Sequence, residues 1–147
     1  MCSVNLLQPD PMGSVSLLQL DPMGDDRGSL IALETSKNVP FNIKRVYYIY
    51  DTRTDIARGF HAHQHLQQLV ICLKGACRFI TDDGSEKQEH WLDSPEQGLF
   101  LSGLLWREMH DFSADCVLLI LTDQLYDPND YVRDYEQFLS MAKQRNA

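Results

Sequence analysis

The 147 residues predict an all-β domain of the jelly-roll type, an antiparallel β-barrel or sandwich with one short C-terminal helix. Three observations carry this. Short runs of aliphatic and β-branched residues recur along the chain, the segments between them have turn composition, and an apolar repeat at three and four positions is confined to the tail. The alternation of strands with helices that marks a parallel sheet is missing from the pattern.

Residues 3 to 13, SVNLLQPDPMG, recur as residues 14 to 24, SVSLLQLDPMG, a near-perfect tandem copy too short to be a solenoid unit. The second copy runs directly into Asp25-Asp26-Arg27-Gly28-Ser29-Leu30, a turn followed by a strand. Residues 1–24 are therefore read as an N-terminal leader whose first copy is loosely held and whose second copy forms a strand. Residues 25–147 form a single domain, long enough to bury a full core.

Within that domain strands are expected over Ile43 to Tyr50, Leu69 to Leu73, Cys77 to Thr81, Gly98 to Ser102 and Cys116 to Thr122. Asp82-Asp83-Gly84-Ser85, Ser94-Pro95-Glu96 and Asp111-Phe112-Ser113-Ala114-Asp115 separate them, and Asp83-Gly84 is the clearest hairpin turn. In the tail, Tyr131, Tyr135, Phe138, Leu139 and Ala142 repeat at helical spacing, so a helix is expected from Asp127 to Lys143.

A formal charge of −8 argues against a nucleic-acid or anionic-membrane surface, because both need clustered cations. An anionic ligand would depend on a few local arginines. No apolar run approaches the roughly 20 residues that span a bilayer, and the N-terminus has no basic segment before an apolar one, so a cytoplasmic protein is expected. Cys2, Cys72, Cys77 and Cys116 show no CxxC spacing, and the last three lie in aliphatic runs. They read as buried free thiols.

The chemistry concentrates in Gly59-Phe60-His61-Ala62-His63, with Gln68 and Gly75 downstream. Two histidines one residue apart, a Glu about five positions later and a Gly about seven beyond that form the metal motif of the jelly-roll proteins called cupins. Here Gln68 replaces the Glu, and the second motif, which should bring a third His, reads Gly103-Leu104-Leu105-Trp106. Alternate strand residues share a face, so His61 and His63 point into one cavity. Two imidazoles with neither a carboxylate nor a third nitrogen hold a catalytic metal weakly. No metal and no cofactor are expected. A rearranged metal site using Glu108 and His110, or a pair of satisfied core histidines, are the other readings the residues allow.

Acid–base work fits better, because an unperturbed histidine titrates near 6.5 and such proton transfer contributes about 10²- to 10⁴-fold in rate. Arg58 offers a fork-shaped cation for an oxyanion or a phosphate. Tyr47 lies on the opposite strand face from Tyr48 and Tyr50, and Arg107 follows the apolar Leu104-Leu105. Asp130-Tyr131-Val132-Arg133 reads as the first turn of the tail helix.

Taken together, these residues resemble the sugar 3,4-ketoisomerases, metal-independent cupins that act on dTDP-4-keto-6-deoxyglucose. The resemblance spans about Asp25 to Ser140. It rests on Asp26-Arg27-Gly28-Ser29-Leu30, Phe41-Asn42-Ile43-Lys44-Arg45-Val46-Tyr47-Tyr48-Ile49-Tyr50, Arg58-Gly59-Phe60-His61-Ala62-His63, Leu92-Asp93-Ser94-Pro95, Trp106-Arg107-Glu108-Met109-His110-Asp111-Phe112-Ser113 and Asp130-Tyr131-Val132-Arg133. It implies a cupin jelly-roll homodimer, often with exchanged N-terminal strands. The implied reaction moves a ketone from C4 to C3 of a dTDP-linked deoxyhexose, feeding a 3-amino-3,6-dideoxyhexose of a bacterial surface glycan. His61 and His63 are the implied proton carriers, and Arg27, Tyr47, Arg58 and Arg107 the implied substrate contacts. Family members differ at the positions of Arg27 and Arg107 in ways that accompany the C4 configuration of the product, and this chain has Arg at both. Another nucleotide-sugar epimerase of the cupin class, and a non-catalytic sugar-binding cupin, are the alternatives.

Overall fold

A computed structural model describes residues 13–146. Cys2 and the first repeat copy up to residue 12 lie outside the described residues. The elements run β1 (Ser14–Gln19), β2 (Met23–Asp25), β3 (Gly28–Leu30), β4 (Arg45–Ile49), β5 (Arg58–His63), β6 (Gln67–Lys74), β7 (Cys77–Asp82), β8 (Lys87–Leu92), β9 (Gln97–Ser102), β10 (Leu105–His110), β11 (Val117–Thr122), β12 (Tyr131–Val132) and α1 (Tyr135–Arg145). Two five-stranded antiparallel sheets, in the orders β1-β9-β6-β11-β4 and β12-β5-β10-β7-β8, enclose the core, and β2 and β3 form a separate hairpin. This is the jelly-roll expected from the strand and turn pattern.

Alternation builds the core. Val70 and Cys72 of β6, Cys77 and Phe79 of β7, Leu99 and Leu101 of β9, Leu105 of β10, and Leu118 and Ile120 of β11 turn inward into one cluster between the sheets. Each fully buried Leu, Ile or Phe there contributes about 1.5–3 kcal/mol relative to exposure. Behind the first sheet, Val39 and Phe41 pack on Leu69, Ile71, Phe100 and Leu121, with the Phe41 and Phe100 rings stacked at 6.0 Å. Gly75, at φ 74°, closes the β6–β7 turn where a Cβ would strike Ser113 and Asp115. Gly84 takes φ 98° in the β7–β8 hairpin that Asp83-Gly84 predicted, and the Asp82 carboxylate accepts its N–H.

The tail departs from expectation. A single helix from Asp127 is replaced by a 3-10 turn over Pro128–Asp130, the strand β12, and then α1 from Tyr135. Two aspartates divide it: Asp127 accepts the Asn129 N–H and Asp134 accepts the Glu136 N–H, so each starts its own short element. Between them Tyr131 and Val132, an aromatic and a β-branched residue, pair with the free edge of β5. Strands β8 and β10 were not expected, because their sequences interleave charged residues with few aliphatics. In β10 one buried position is filled by Arg107 rather than an apolar side chain.

Candidate active site

The first step in building the site is an irregularity in β5. Arg58 pairs with Met109, Gly59 with Glu108 and His61 with Arg107, so Phe60 is an extra residue without a partner on β10. Gly59 and Phe60 both take positive φ, 94° and 60°, at this β-bulge. Strict alternation would put Arg58 and His61, three residues apart, on opposite faces. The bulge restores them to one, and both line the same cleft. Phe60 turns outward, edge-on to His110 at 5.6 Å.

Beyond the bulge, β5 is regular, and His61 and His63 share the inner face with rings 4.9 Å apart and perpendicular. Their surroundings differ. His61 is partly exposed and lines a cleft of about 590 Å³, whereas His63 is only 2% exposed and lies behind it. Tyr131 packs on both rings, at 5.0 and 4.3 Å. His63 Nδ1 lies 3.2 Å from the Asp130 carboxylate, which also accepts the His65 backbone N–H at 3.0 Å. Burial, Arg107 and His63 press the His61 pKa down to about 3, against a hydrogen bond to the Gly59 backbone. Burial lowers His63 to about 4, with the Asp130 hydrogen bond and charge opposing it and Arg107 and Arg45 assisting. Burial raises the Asp130 carboxyl, but its bonds to His63 and His65 outweigh that and hold it below the usual carboxylate range. At neutral pH the site therefore holds two neutral imidazoles and one carboxylate.

Arg107 is 2% exposed, and its guanidinium donates to the Leu105 carbonyl through Nε and Nη2, at 3.2 and 2.8 Å, and to Gln68 Oε1 through Nη1. Burial lowers its pKa to about 10, which leaves it charged near neutrality. Gln68 Nε2 in turn donates to the Tyr47 hydroxyl at 3.0 Å. The residue expected as a lost metal ligand is thus the link between two substrate-contact candidates, the buried Arg107 and the half-buried Tyr47.

Tyr47 and Arg58 line the main cleft with His61, and Arg107 lines a narrow inner crevice together with His61 and Tyr47. Arg27 is not brought there within one chain. It sits in the exposed β2–β3 turn, its guanidinium held by Asp25 at 2.5 Å, beside a separate shallow cleft. Arg45, Arg133, Tyr126 and Tyr131 also line the main cleft, and sequence reasoning missed them as functional. Arg45 was legible, since it shares the inner face of β4 with Tyr47 and packs 5.2 Å from that ring. Arg133, 4.3 Å from the Tyr131 ring, and Asp130 were hidden by reading their segment as helix. A chain of net charge −8 thus gathers Arg45, Arg58 and Arg133 at one opening, an arrangement suited to an anionic ligand.

Glu108 and His110 take no part. They lie on the outer face of β10, where Glu108 accepts from Trp106 Nε1 and pairs with His110 at 2.8 Å, opposite the face that carries Arg107. Cys72, Cys77 and Cys116 are buried free thiols, and burial raises all three pKa values, Cys72 to about 12.

Residues 13–143 match the FdtA family, described as WxcM-like, C-terminal. The chain is 55% identical over 114 residues to the TDP-4-oxo-6-deoxy-alpha-D-glucose-3,4-oxoisomerase of Aneurinibacillus thermoaerophilus, covering 78% of this chain and 82% of that protein. Among solved structures, a 3,4-ketoisomerase from Helicobacter canadensis is 46% identical with a TM-score of 0.86, over 88% of this chain and 97% of that one. A histidine-to-asparagine variant of a 3,4-ketoisomerase from Thermoanaerobacterium thermosaccharolyticum, in complex with TDP-4-keto-6-deoxyglucose, is 40% identical with a TM-score of 0.87, over 89% and 95% of the two chains.

Proposed function

The chain belongs to the FdtA family, and on that footing we propose that it is a sugar 3,4-ketoisomerase converting dTDP-4-keto-6-deoxyglucose into the 3-keto isomer. The observation that carries this is the convergence of His61, Tyr47 and three arginines on one cleft, with His63 and its carboxylate directly behind His61. A volume of about 590 Å³ falls within the range of small-ligand sites.

The reaction needs only proton transfers. A base takes the hydrogen from C3 as a proton, the electron pair shifts to form the C3–C4 enediolate, and the former carbonyl oxygen at C4 becomes a hydroxyl. A proton is then delivered to C4, the C3 hydroxyl gives up its proton, and the ketone stands at C3. Atoms and electrons balance without an external oxidant. His61 and His63 are the proton carriers of this reading, His61 meeting the sugar. Their neutral state at working pH suits a base, and the short span between C3 and C4 suits two adjoining rings. Arg58, with Arg45 and Arg133, is suited to the diphosphate and Tyr47 to a sugar oxygen, while the buried Arg107 supplies positive potential to the enediolate.

A homodimer belongs to the same reading. Val46 and Tyr48 project outward from the edge strand β4, Tyr50 is exposed just beyond it, and Leu17, Met23 and Leu30 are exposed on the N-terminal strands. Apolar surface of this kind fits a second copy whose N-terminal strands exchange, which would also carry Arg27 toward a neighbouring cleft. No helix among the described residues is long and apolar enough to cross a membrane. Action in the cytoplasm, supplying a 3-amino-3,6-dideoxyhexose, completes the proposal.

Incubation with dTDP-4-keto-6-deoxyglucose in heavy water, followed by NMR of the product, tests it. A 3-keto product bearing deuterium at C4 is expected. Inversion at C3 and C5 with the ketone still at C4 would make the chain an epimerase, and recovery of unchanged, undeuterated substrate would reduce it to a binding module.

A further inference from the structure

Gln68 stands where the cupin metal motif places a carboxylate, and its two partners leave its amide one orientation. Arg107 carries donors only, so the Gln68 atom it meets is the carbonyl oxygen. The other end of the amide, Nε2, then faces the Tyr47 hydroxyl, and an amide nitrogen only donates. Tyr47 Oη therefore accepts this bond and keeps its own hydrogen for another partner. Among the described residues no acceptor takes that hydrogen. Tyr47 lines both the main cleft and a narrow inner crevice shared with His61, Gln68 and Arg107, so space for an acceptor lies beside His61.

We infer that Gln68 is a positioning residue whose neutral amide fixes the direction of the chain Arg107 to Gln68 to Tyr47, making the Tyr47 hydroxyl a hydrogen-bond donor aimed at a substrate oxygen in the cleft. The inference rests on the ketone-migration reading above, because an enediolate is the species that such a donor stabilises. A charged residue heads the chain, so each bond polarises the next. Burial also raises the Tyr47 pKa, which keeps the hydroxyl protonated at working pH. A carboxylate at position 68 would behave differently. It would accept from Arg107 and from Tyr47 alike, and turn the hydroxyl hydrogen away from the substrate. On this account the amide at position 68 has a task of its own: it keeps a donor facing the sugar.

The Q68E variant tests this, since its carboxylate still offers Arg107 a partner. With dTDP-4-keto-6-deoxyglucose, turnover is expected to fall by about 10²-fold, the loss typical of one oxyanion-stabilising donor, with KM within about threefold. In protein labelled with 13C at tyrosine Cζ, the resonance that disappears in Y47F should shift in Q68E, reporting a hydroxyl now bound to carboxylate. The Q68E/Y47F double variant should turn over no more slowly than Y47F. Wild-type turnover in Q68E, or an unmoved Cζ resonance, would overturn the inference. Should Q68E not fold, Q68M serves, and wild-type turnover there would overturn it equally. If the wild-type protein itself makes no 3-keto product, the functional reading fails, and the Cζ shift alone decides the arrangement of Gln68 and Tyr47.

Discussion

His63 Nδ1 lies 3.2 Å from the Asp130 carboxylate, both groups buried, at the point where β12 joins the edge of β5. The contact fixes the tautomer: an ionised Asp130 accepts from Nδ1–H and leaves Nε2 as the free lone pair. In D130N the counter-charge is lost, so the His63 imidazolium is harder to form. Turnover should fall about tenfold or more, and the acidic limb of the rate profile should move to lower pH. A D130N enzyme with the wild-type pH profile would remove Asp130 from the proton path.

Replacing either histidine, as H61N or H63N, should leave a folded protein and lower turnover by about 10²-fold or more. The same variants carry a stability signature. Both rings have folded pKa values, about 3 and about 4, below the ordinary 6.5, so between those limits the unfolded chain binds more protons than the native one. Stability from this source is complete above about pH 7 and declines as pH falls toward 4. Thermal melts of the wild-type protein should show Tm rising from pH 4 to 7 and then levelling, with a shallower rise in each variant.

Arg107 satisfies two buried acceptors at once, the Leu105 carbonyl and Gln68 Oε1. R107M removes the donors and leaves both acceptors unmet, at a cost of about 1–3 kcal/mol. A Tm several degrees below wild type, with turnover also lost, is expected by calorimetry and by product assay. R107K should recover the charge but not the forked contacts, and so only part of the stability.

The donor set around the imidazoles also bears on metal dependence. Gln68 is committed to Arg107 and Tyr47, so the pair of rings has no carboxylate beside it at that position. Exhaustive treatment with EDTA is expected to leave turnover unchanged. A loss that one added divalent metal restores would refute the metal-free reading.

The tandem copies should separate on truncation. Strand β1, from the second copy, pairs along its whole length with β9, from Ser14 opposite Ser102 to Gln19 opposite Gln97. Deleting residues 2–13 should change stability and turnover little, while deleting residues 2–24 strips an edge of the first sheet and should weaken the proposed dimer. Sedimentation and thermal melts of the two truncations measure this, and equal effects would refute the division.

The strand pattern was legible because alternation and turn chemistry are local. Val70, Cys72, Phe79, Leu99 and Leu118 announce their inward faces in sequence, and Asp83-Gly84 announces its hairpin. The His61–His63 pair was legible for the same reason, as two residues of one strand in one register. What stayed hidden was either irregular or distant in sequence. The bulge at Gly59-Phe60 aligns Arg58 with His61 against the alternation rule, and the only local sign of it is a glycine inside the strand. Asp130 lies 67 residues from His63, and an apparent helical repeat concealed its segment.

By itself, then, the sequence determined that this is a jelly-roll with two imidazoles on one inner strand face, since period-two burial is written residue by residue. Only the tertiary structure decided how those rings differ: one lines the cleft, and the other lies behind it against a carboxylate. It alone also gave the Gln68 amide its orientation. Those outcomes depend on which strands become neighbours, a matter settled by the packing of the whole chain rather than by any one segment.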